Sequence, residues 1–142
     1  MTTEKFSALE PLVHYLKLEG ERPYLCGSRC QSCGHTFVGE RQVCANCTSR
    51  DRMISVQLAE TGRLYDFTVV YRSFPGVKTP FVDAIVDLDD GSHLKGTLLN
   101  VDPDPNADLY DLPVTVVYRE AHPVNADGKQ YFSYFFVPAA EA

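Results

Sequence analysis

Residues 26–47 read CGSRCQSCGHTFVGERQVCANC and contain all five cysteines of the 142-residue chain. The spacing of these cysteines allows two interpretations. The first three form a C-x3-C-x2-C pattern, which is typical of radical enzymes that bind an iron–sulfur cluster. The last four form two C-x-x-C pairs, which are typical of a metal site made of four thiolates. These four residues are Cys30, Cys33, Cys44 and Cys47.

The length of the chain decides between the two patterns. Radical enzymes need a large barrel of repeated strand–helix units, and the residues after Cys47 are too few and too rich in strand signals to form one. A small ribbon with two C-x-x-C turns needs no more chain than is present. The last four cysteines are therefore predicted to be zinc ligands, and because four thiolates close the coordination sphere, the zinc should be structural. A single iron in a rubredoxin-like site is the alternative.

The stretch between the two cysteine pairs predicts a short hairpin, with residues 36–38 as one arm and residues 41–43 as the other. Gly34 follows a cysteine, where a positive φ lets backbone N–H groups point at a ligand sulfur. Cys26, the fifth cysteine, is expected to be a small buried residue on the strand that enters the ribbon. His35 is expected to face solvent, since four thiolates already suffice.

An amphipathic helix is predicted over residues 8–19, before the cysteines. Its apolar residues recur at helical spacing, Ser7 is a plausible cap, and Gly20 ends the run. The apolar stripe either covers the core of this chain or docks on a partner protein. The residues of the stripe are Leu9, Leu12, Val13 and Leu16.

The chain after residue 53 reads as strands, separated by turn formers. The order of these strands is long strand, strand, strand, break, strand, strand, which predicts a five-stranded OB barrel. The chain is therefore expected to be mainly β, with a helix over residues 1–22, a zinc ribbon over 23–52 and an OB-fold domain over 53–142. The predicted strands cover residues 62–72, 81–88, 93–99, 114–118 and 131–137.

The distribution of charge limits the classes of partner. Residues 1–55 carry 7 basic and 6 acidic side chains, whereas residues 56–142 carry 6 and 13. A surface that binds nucleic acid without sequence preference needs clustered cations, so the acidic C-terminal part argues against nucleic acid as the main partner. No apolar run is long enough to span a membrane, and no secretory signal is visible. Clustered thiols in such a chain favour the reducing cytoplasm.

Several motifs together resemble a known family. They are GER at residues 20–22, CQSCG and CANC in the ribbon, TGRLYDFTVVYR at 61–72, PFVDAIVDLDDG at 80–91 and DLPVTVVY at 111–118. Over nearly the whole chain, they resemble the acyl-CoA-associated OB-fold proteins with an N-terminal rubredoxin-like zinc ribbon. The chain departs from the family in lacking the prolines often found before the third ribbon cysteine, and in having Thr48 where glycine is common. Both departures concern loop geometry.

The resemblance implies that this chain is a small, non-catalytic subunit that binds beside the larger subunit of a thiolase-type enzyme and helps to hold the CoA part of a thioester. The best candidate for CoA contacts is YRSFPGVKTPF, which joins the first two barrel strands. Its cations could meet phosphates, and its aromatic side chains could line the adenine or pantetheine channel. Alternatively, the cations only pair with neighbouring acids. The candidate residues are Tyr71, Arg72, Phe74, Lys78 and Phe81.

The chain also lacks the features of a complete thiolase, which needs a nucleophilic cysteine close to histidine and a second acid–base group. His14, His93 and His122 lie in segments without a nucleophile, and the clustered cysteines are expected to be metal ligands. A second function stays open, namely a zinc-ribbon and OB module that stacks bases on aromatic residues such as Tyr65 and Phe67. The acidic charge balance disfavours it.

Overall fold

The computed structural model describes residues 10–75, 77–121 and 131–141, which form ten strands and one short 3₁₀ turn at Ala139–Glu141. No α-helix occurs among these residues. The strands are β1 (Glu10–Pro11), β2 (Leu16–Lys17), β3 (Tyr24–Cys30), β4 (Thr36–Val38), β5 (Met53–Gln57), β6 (Thr61–Val70), β7 (Phe81–Leu88), β8 (His93–Leu98), β9 (Pro113–Glu120) and β10 (Tyr131–Pro138).

The last five strands form a closed barrel. Its strand order is β6-β7-β8-β10-β9, and β9 returns to pair with β6. All neighbours are antiparallel except β8 and β10, which run parallel and meet at Leu98 and Phe136. This five-stranded closed barrel is the OB-fold that the strand order predicted.

The barrel core follows from the alternation of side chains along each strand. In β7 every second residue is buried and its neighbours lie on the outer face, because successive side chains of a strand point to opposite sides. A register shift between Leu64 and Asp66 bends β6, as a β-bulge does, and lets this long strand serve both β7 and β9. The largest fully buried side chain is that of Phe136 in β10.

The ribbon is a second sheet, in which β3 is the central strand. It pairs antiparallel with β2, β4 and β5. Leu16, Leu25 and Leu58 from this part of the chain are buried in the same apolar cluster as the barrel residues. The ribbon and the barrel therefore share part of one core. The division of the chain into domains at residues 22/23 and 52/53 stays a prediction. Strand β5, which follows the second of these boundaries, pairs with the ribbon strand β3.

The predicted N-terminal helix is wrong over the residues that the structure describes. Residues 10–11 pair with β10 and residues 16–17 pair with β3, so this segment crosses from the barrel to the ribbon as two short strands. The backbone N–H of Leu12 donates to the carbonyl of Phe132 at 2.8 Å, a partner far away in sequence. Residues 1–9 of the predicted helix, which include Leu9, lie outside the described residues.

The predicted hairpin inside the ribbon is also wrong. Its first arm, β4, pairs with β3 through Gly27–Val38, Ser28–Phe37 and Arg29–Thr36, and not with residues 41–43. Val43 instead forms an isolated bridge with Arg50 around the second cysteine pair. Each C-x-x-C pair therefore lies in its own turn, and the two turns face each other across the sulfur cluster.

Leu12 and Leu16 differ in burial, which gives a matched test of this arrangement. Leu16 is 1% exposed and pairs with Leu25, whereas Leu12 is 54% exposed. Leu16→Asn should lower the free energy of unfolding by about 3–5 kcal/mol, because it leaves a cavity and buries an amide. Leu12→Asn should change it by less than about 0.5 kcal/mol. Denaturant unfolding of both variants measures the difference, and equal losses would argue for the helix.

Candidate metal centre and binding groove

The sulfur atoms of Cys30, Cys33, Cys44 and Cys47 all lie within 4.8 Å of one another. The closest pairs are Cys30–Cys47 at 3.7 Å and Cys33–Cys44 at 3.6 Å between Sγ atoms. In a tetrahedral site with metal–sulfur bonds of about 2.3 Å, the sulfurs lie about 3.8 Å apart. These four cysteines, which are the four that the spacing selected, could therefore hold a metal ion.

The two cysteine turns have the same backbone geometry. In the first, the N–H of Gly34 donates to the carbonyl of Cys30 at 2.8 Å, and in the second, the N–H of Thr48 donates to that of Cys44 at 2.9 Å. The residue after each pair has a positive φ, 81° for Gly34 and 64° for Thr48. The second turn also directs the N–H groups of Asn46 and Cys47 at the Sγ of Cys44, at 3.3 and 3.4 Å.

Polar groups around the cluster favour the thiolate form that metals bind. The contact with Ser49, whose Oγ lies 3.2 Å from the sulfur, lowers the pKa of Cys47 to about 6. The side-chain amide of Asn46 donates to Cys33 at 3.5 Å and lowers the pKa of that thiol. Burial has the opposite effect on Cys44 and raises its pKa. A bound cation would offset this cost, because it stabilises the buried thiolate.

Cys26 and His35 are not among the converging ligands. Cys26 is buried in β3, and its backbone N–H donates to the carbonyl of Tyr15 at 2.8 Å. The ring of His35 packs against Phe37, with 4.5 Å between ring centroids, and is half-buried rather than fully exposed. Neither side chain belongs to the group of ligand atoms that converge.

Thr48 follows the second cysteine pair, and its conformation has a measurable cost. A β-branched residue with a φ of 64° is strained, since its Cβ crowds the backbone in the left-handed region. Thr48→Gly should raise the free energy of unfolding of the metal-loaded protein by about 1 kcal/mol. Thr48→Ala keeps a Cβ and serves as the control. Denaturant unfolding checks the prediction, and no difference between the two variants would contradict it.

The connection between β6 and β7 contains the five predicted CoA residues, which divide into two groups. Tyr71, Arg72 and Phe74 lie on the exposed part of the loop, where Phe74 is 82% exposed. Lys78 and Phe81 instead line a groove with a volume of about 860 Å³. The structure therefore brings together only two of the five predicted residues.

Arg119 is a groove residue that sequence reasoning missed. It lies near the end of β9 and lines the same groove as Lys78, which comes from the connection between β6 and β7. No ion pair is assigned to either cation within the described ranges. The alternation of Val114 and Val116 could have placed Arg119 outside the barrel core, but no motif marks it.

The two described histidines outside the ribbon, His14 and His93, are both exposed. His93 pairs with Asp87 at 2.7 Å between Nδ1 and Oδ1, as expected for a residue beside a turn. His122 lies outside the described residues. Within the described part of the chain, no helix is long and apolar enough to cross a bilayer.

Comparison with known proteins places this fold and cysteine cluster in context. Residues 55–119 match the sequence family described as ChsH2, C-terminal OB-fold domain. A DUF35 domain-containing scaffold protein of Methanocaldococcus jannaschii is 29% identical over 122 residues, which cover 83% of this chain and 84% of that protein. The benzoylsuccinyl-CoA thiolase subunit BbsA of Geobacter metallireducens is 37% identical over 70 residues, which cover 49% of this chain and 47% of that protein.

A solved structure supports the same relationship. A chain of the Ltp2-ChsH2(DUF35) aldolase matches with a TM-score of 0.63 and 28% identity, over 82% of this chain and 85% of that one. The chain is homologous to DUF35 proteins with a ChsH2-type OB-fold domain, and the resemblance that its ribbon and strand motifs indicated is confirmed.

Proposed function

We propose that this chain is a non-catalytic auxiliary subunit of a thiolase-type enzyme. The observation that carries the proposal is its homology to a protein named as a thiolase subunit and to a chain of an aldolase complex. Both names describe assemblies of more than one kind of chain. The scaffold proteins, which align over most of their length, support a role in assembly.

The arrangement of reactive side chains supports an auxiliary role. Thiolysis needs a thiol nucleophile next to a histidine. Four thiols of this chain converge on one another, Cys26 is buried in β3, and His93 pairs with a carboxylate. The clustered thiols are metal ligands in this proposal, and a larger catalytic subunit supplies the nucleophile.

The four clustered cysteines hold a structural zinc in this proposal. Four thiolates satisfy the tetrahedral preference of zinc and leave no position open for water, so the metal does no chemistry. Zinc fixes the two cysteine turns relative to each other, next to strands whose residues enter the shared core. Rubredoxin-like iron, the alternative, would colour the protein red, whereas zinc leaves it colourless.

The connection between β6 and β7 contributes to a CoA site that this chain shares with its partner. Lys78 and Phe81 line the groove, and Arg119 adds a second cation to it. Tyr71, Arg72 and Phe74 project from the same connection and are exposed, so they are available to a partner or to the nucleotide of CoA. A cation that meets a phosphate through charge-assisted hydrogen bonds contributes about 1.5–3 kcal/mol.

We further propose benzoylsuccinyl-CoA, a thioester of anaerobic toluene breakdown, as the substrate of the complex. The similarity to BbsA proteins of two organisms supports this finer assignment, at 37% and 33% identity over 70 residues. The large subunit forms most of the acyl pocket in this proposal. Thiolysis of benzoylsuccinyl-CoA, compared with that of other acyl-CoA esters, tests the assignment.

The existence of the partner can be tested directly. The tagged chain, expressed in its native cells at its natural level, should co-elute in size-exclusion chromatography with a larger thiolase-type protein that mass spectrometry identifies. Arg72→Ala should leave this co-elution unchanged, because a single exposed cation adds little to a subunit interface. Elution of the chain by itself, or together with nucleic acid, would contradict the proposal.

A further inference from the structure

Strand β5, Met53–Gln57, pairs with β3 along one of its two edges. Just before β5 begins, the N–H of Gln31 donates to the carbonyl of Arg52, and just after it ends, the N–H of Leu58 donates to the carbonyl of Leu25, both at 2.8 Å. These bonds fix which backbone groups of β5 face β3, because the groups of successive residues point alternately to the two sides of a strand.

The N–H and C=O groups of Met53, Ser55 and Gln57 therefore point away from β3, and these three residues define the free edge of β5. Among the described strands, none pairs with β5 on that side, and no backbone hydrogen bond is assigned to the three residues there. Such a row of unpaired groups is a template for one more strand, which proteins usually protect with charged side chains, proline or a bulge. The sequence MISVQ has neither charge nor proline, and its register with β3 is continuous.

The side chains of β5 are complementary to a second copy of the same strand in antiparallel order. With Ser55 on a two-fold axis, Ile54 of each copy would lie opposite Val56 of the other, and Met53 opposite Gln57. Ile54 and Val56 are both half-buried, so this pairing would cover apolar surface that a single copy leaves partly exposed. Cross-strand pairs of β-branched residues stabilise a sheet of this kind.

Basic side chains cluster at the end where β5 begins. Arg50 and Arg52 immediately precede the strand, and Arg29 lies opposite Ile54 on β3. All three arginines are exposed, and none has an assigned ion pair in the described part of the chain. They outnumber Asp51, the acid between two of them, so this end of β5 is positive.

Acidic side chains gather at the opposite end of β5. Glu19, Glu21 and Glu60 line a cavity of about 280 Å³ that also includes Gln57, the last residue of the strand. Arg22 in the same cavity pairs with Glu60 at 2.8 Å. Over the described ranges no ion pair is assigned to Glu19 or Glu21. Antiparallel pairing of two copies brings the basic end of each to the acidic end of the other, whereas parallel pairing would bring like charges together.

We propose that the free edge of β5 is the contact of a symmetric homodimer, in which β5 of one copy pairs antiparallel with β5 of a second copy. The two ribbon sheets then form one continuous sheet across the two-fold axis. A contact of this size makes a weak dimer, with a dissociation constant of about 10–100 µM. The proposal goes beyond the proposed function and does not depend on it.

Sedimentation velocity of the full chain tests for this dimer, at concentrations from about ten-fold below to ten-fold above the expected dissociation constant. The average mass should rise from that of one chain to that of two. Ser55→Pro should weaken the dimer about ten-fold or more, because it removes an outward N–H and leaves the bonds to β3 in place. Ser55→Lys, which keeps the N–H at an exposed position, should weaken it similarly by placing two cations opposite each other. Ser55→Thr is the control and should change association less than about two-fold.

Charge reversal tests the antiparallel order. Arg52→Glu and Glu21→Arg should each weaken self-association about five-fold or more, because like charges then meet at both ends of the contact. An equimolar mixture of the two variants should recover wild-type association, since each copy supplies the charge that the other lacks. Glu141→Arg makes the same charge change at an exposed position outside β5 and should have little effect. A mixture that stays as weak as its components would contradict the proposed order.

Hydrogen exchange locates the contact. The amide of Ser55 should exchange fast in dilute solution and slowly in concentrated solution, whereas the amides of Ile54 and Val56, which face β3, should be slow in both. A chain that stays monomeric at every concentration, or a dimer whose Ser55 amide stays fast, would overturn the inference. Protection of Ser55 that appears only with the large subunit would assign the edge to that partner and would also overturn it. None of these results bears on the co-elution experiment, which tests the proposed function separately.

Discussion

Cys44→Ser should lower the metal content of the purified chain from about one ion to near zero and loosen the ribbon. Cys44 is fully buried, and its sulfur receives two backbone N–H groups and lies 3.6 Å from that of Cys33. A serine oxygen at this position is a poor zinc ligand, and the three remaining thiolates would be left close together. Because binding of structural zinc contributes on the order of 10 kcal/mol to folding, the loss should be large.

The effect should be local, which makes it measurable without unfolding the protein. The barrel closes on itself through β6 and β9 and has its own buried residues, so it should persist. Hydrogen exchange should become fast at the β3–β4 pairs Gly27–Val38 and Arg29–Thr36, and stay slow in β7. Elemental analysis and hydrogen exchange of the same sample provide the two readouts.

Cys26→Ala is the matched control, because Cys26 is a buried cysteine outside the cluster. This variant should keep its full metal content. The missing sulfur should lower its stability only modestly. The opposite pattern, with metal lost in Cys26→Ala and retained in Cys44→Ser, would restore the C-x3-C-x2-C interpretation. A red wild-type protein with about one iron per chain would instead show that the metal is iron and not zinc.

The barrel was predictable because its strands carry strong period-2 signals. Val82, Ala84, Val86 and Leu88 are all buried, as the alternation in β7 predicted. The structure places this strand at the predicted bounds, and the other four barrel strands differ by at most two residues at either end. In a half-buried strand, apolar and polar residues alternate along the sequence. Such a strand can therefore be recognised without knowing which strands it pairs with.

The N-terminal segment was not predictable for the opposite reason. Its apolar residues have helical spacing, yet Leu16 is buried because β2 pairs with β3, and Leu12 lies on the groove because its backbone bonds to Phe132. Short strands of two residues carry no period of their own. Their conformation is decided by partners elsewhere in the chain, which overrides the local preference.

At the metal centre and the groove, too, features encoded locally could be predicted and features set by distant contacts could not. The C-x-x-C spacing selected four cysteines whose sulfurs converge, because a turn of this length brings two thiolates to one side. The pairing of β4 with β3 is a matter of sheet topology, which the residues between the pairs do not encode. The groove joins residues that are far apart in the chain, such as Lys78 and Arg119. Only the closed barrel places these two cations at one site.

The central claim is that the chain acts as a required, non-catalytic subunit, and the rate of thiolysis tests it most directly. The large subunit that co-elutes with this chain should be purified with and without it, and its rate of acyl-CoA thiolysis should be measured at saturating CoA. We expect the rate without this chain to fall roughly 100-fold, which corresponds to about 2.7 kcal/mol, and to recover when the zinc-loaded chain is added back. A large subunit that cleaves its thioester at the full rate by itself would contradict the account.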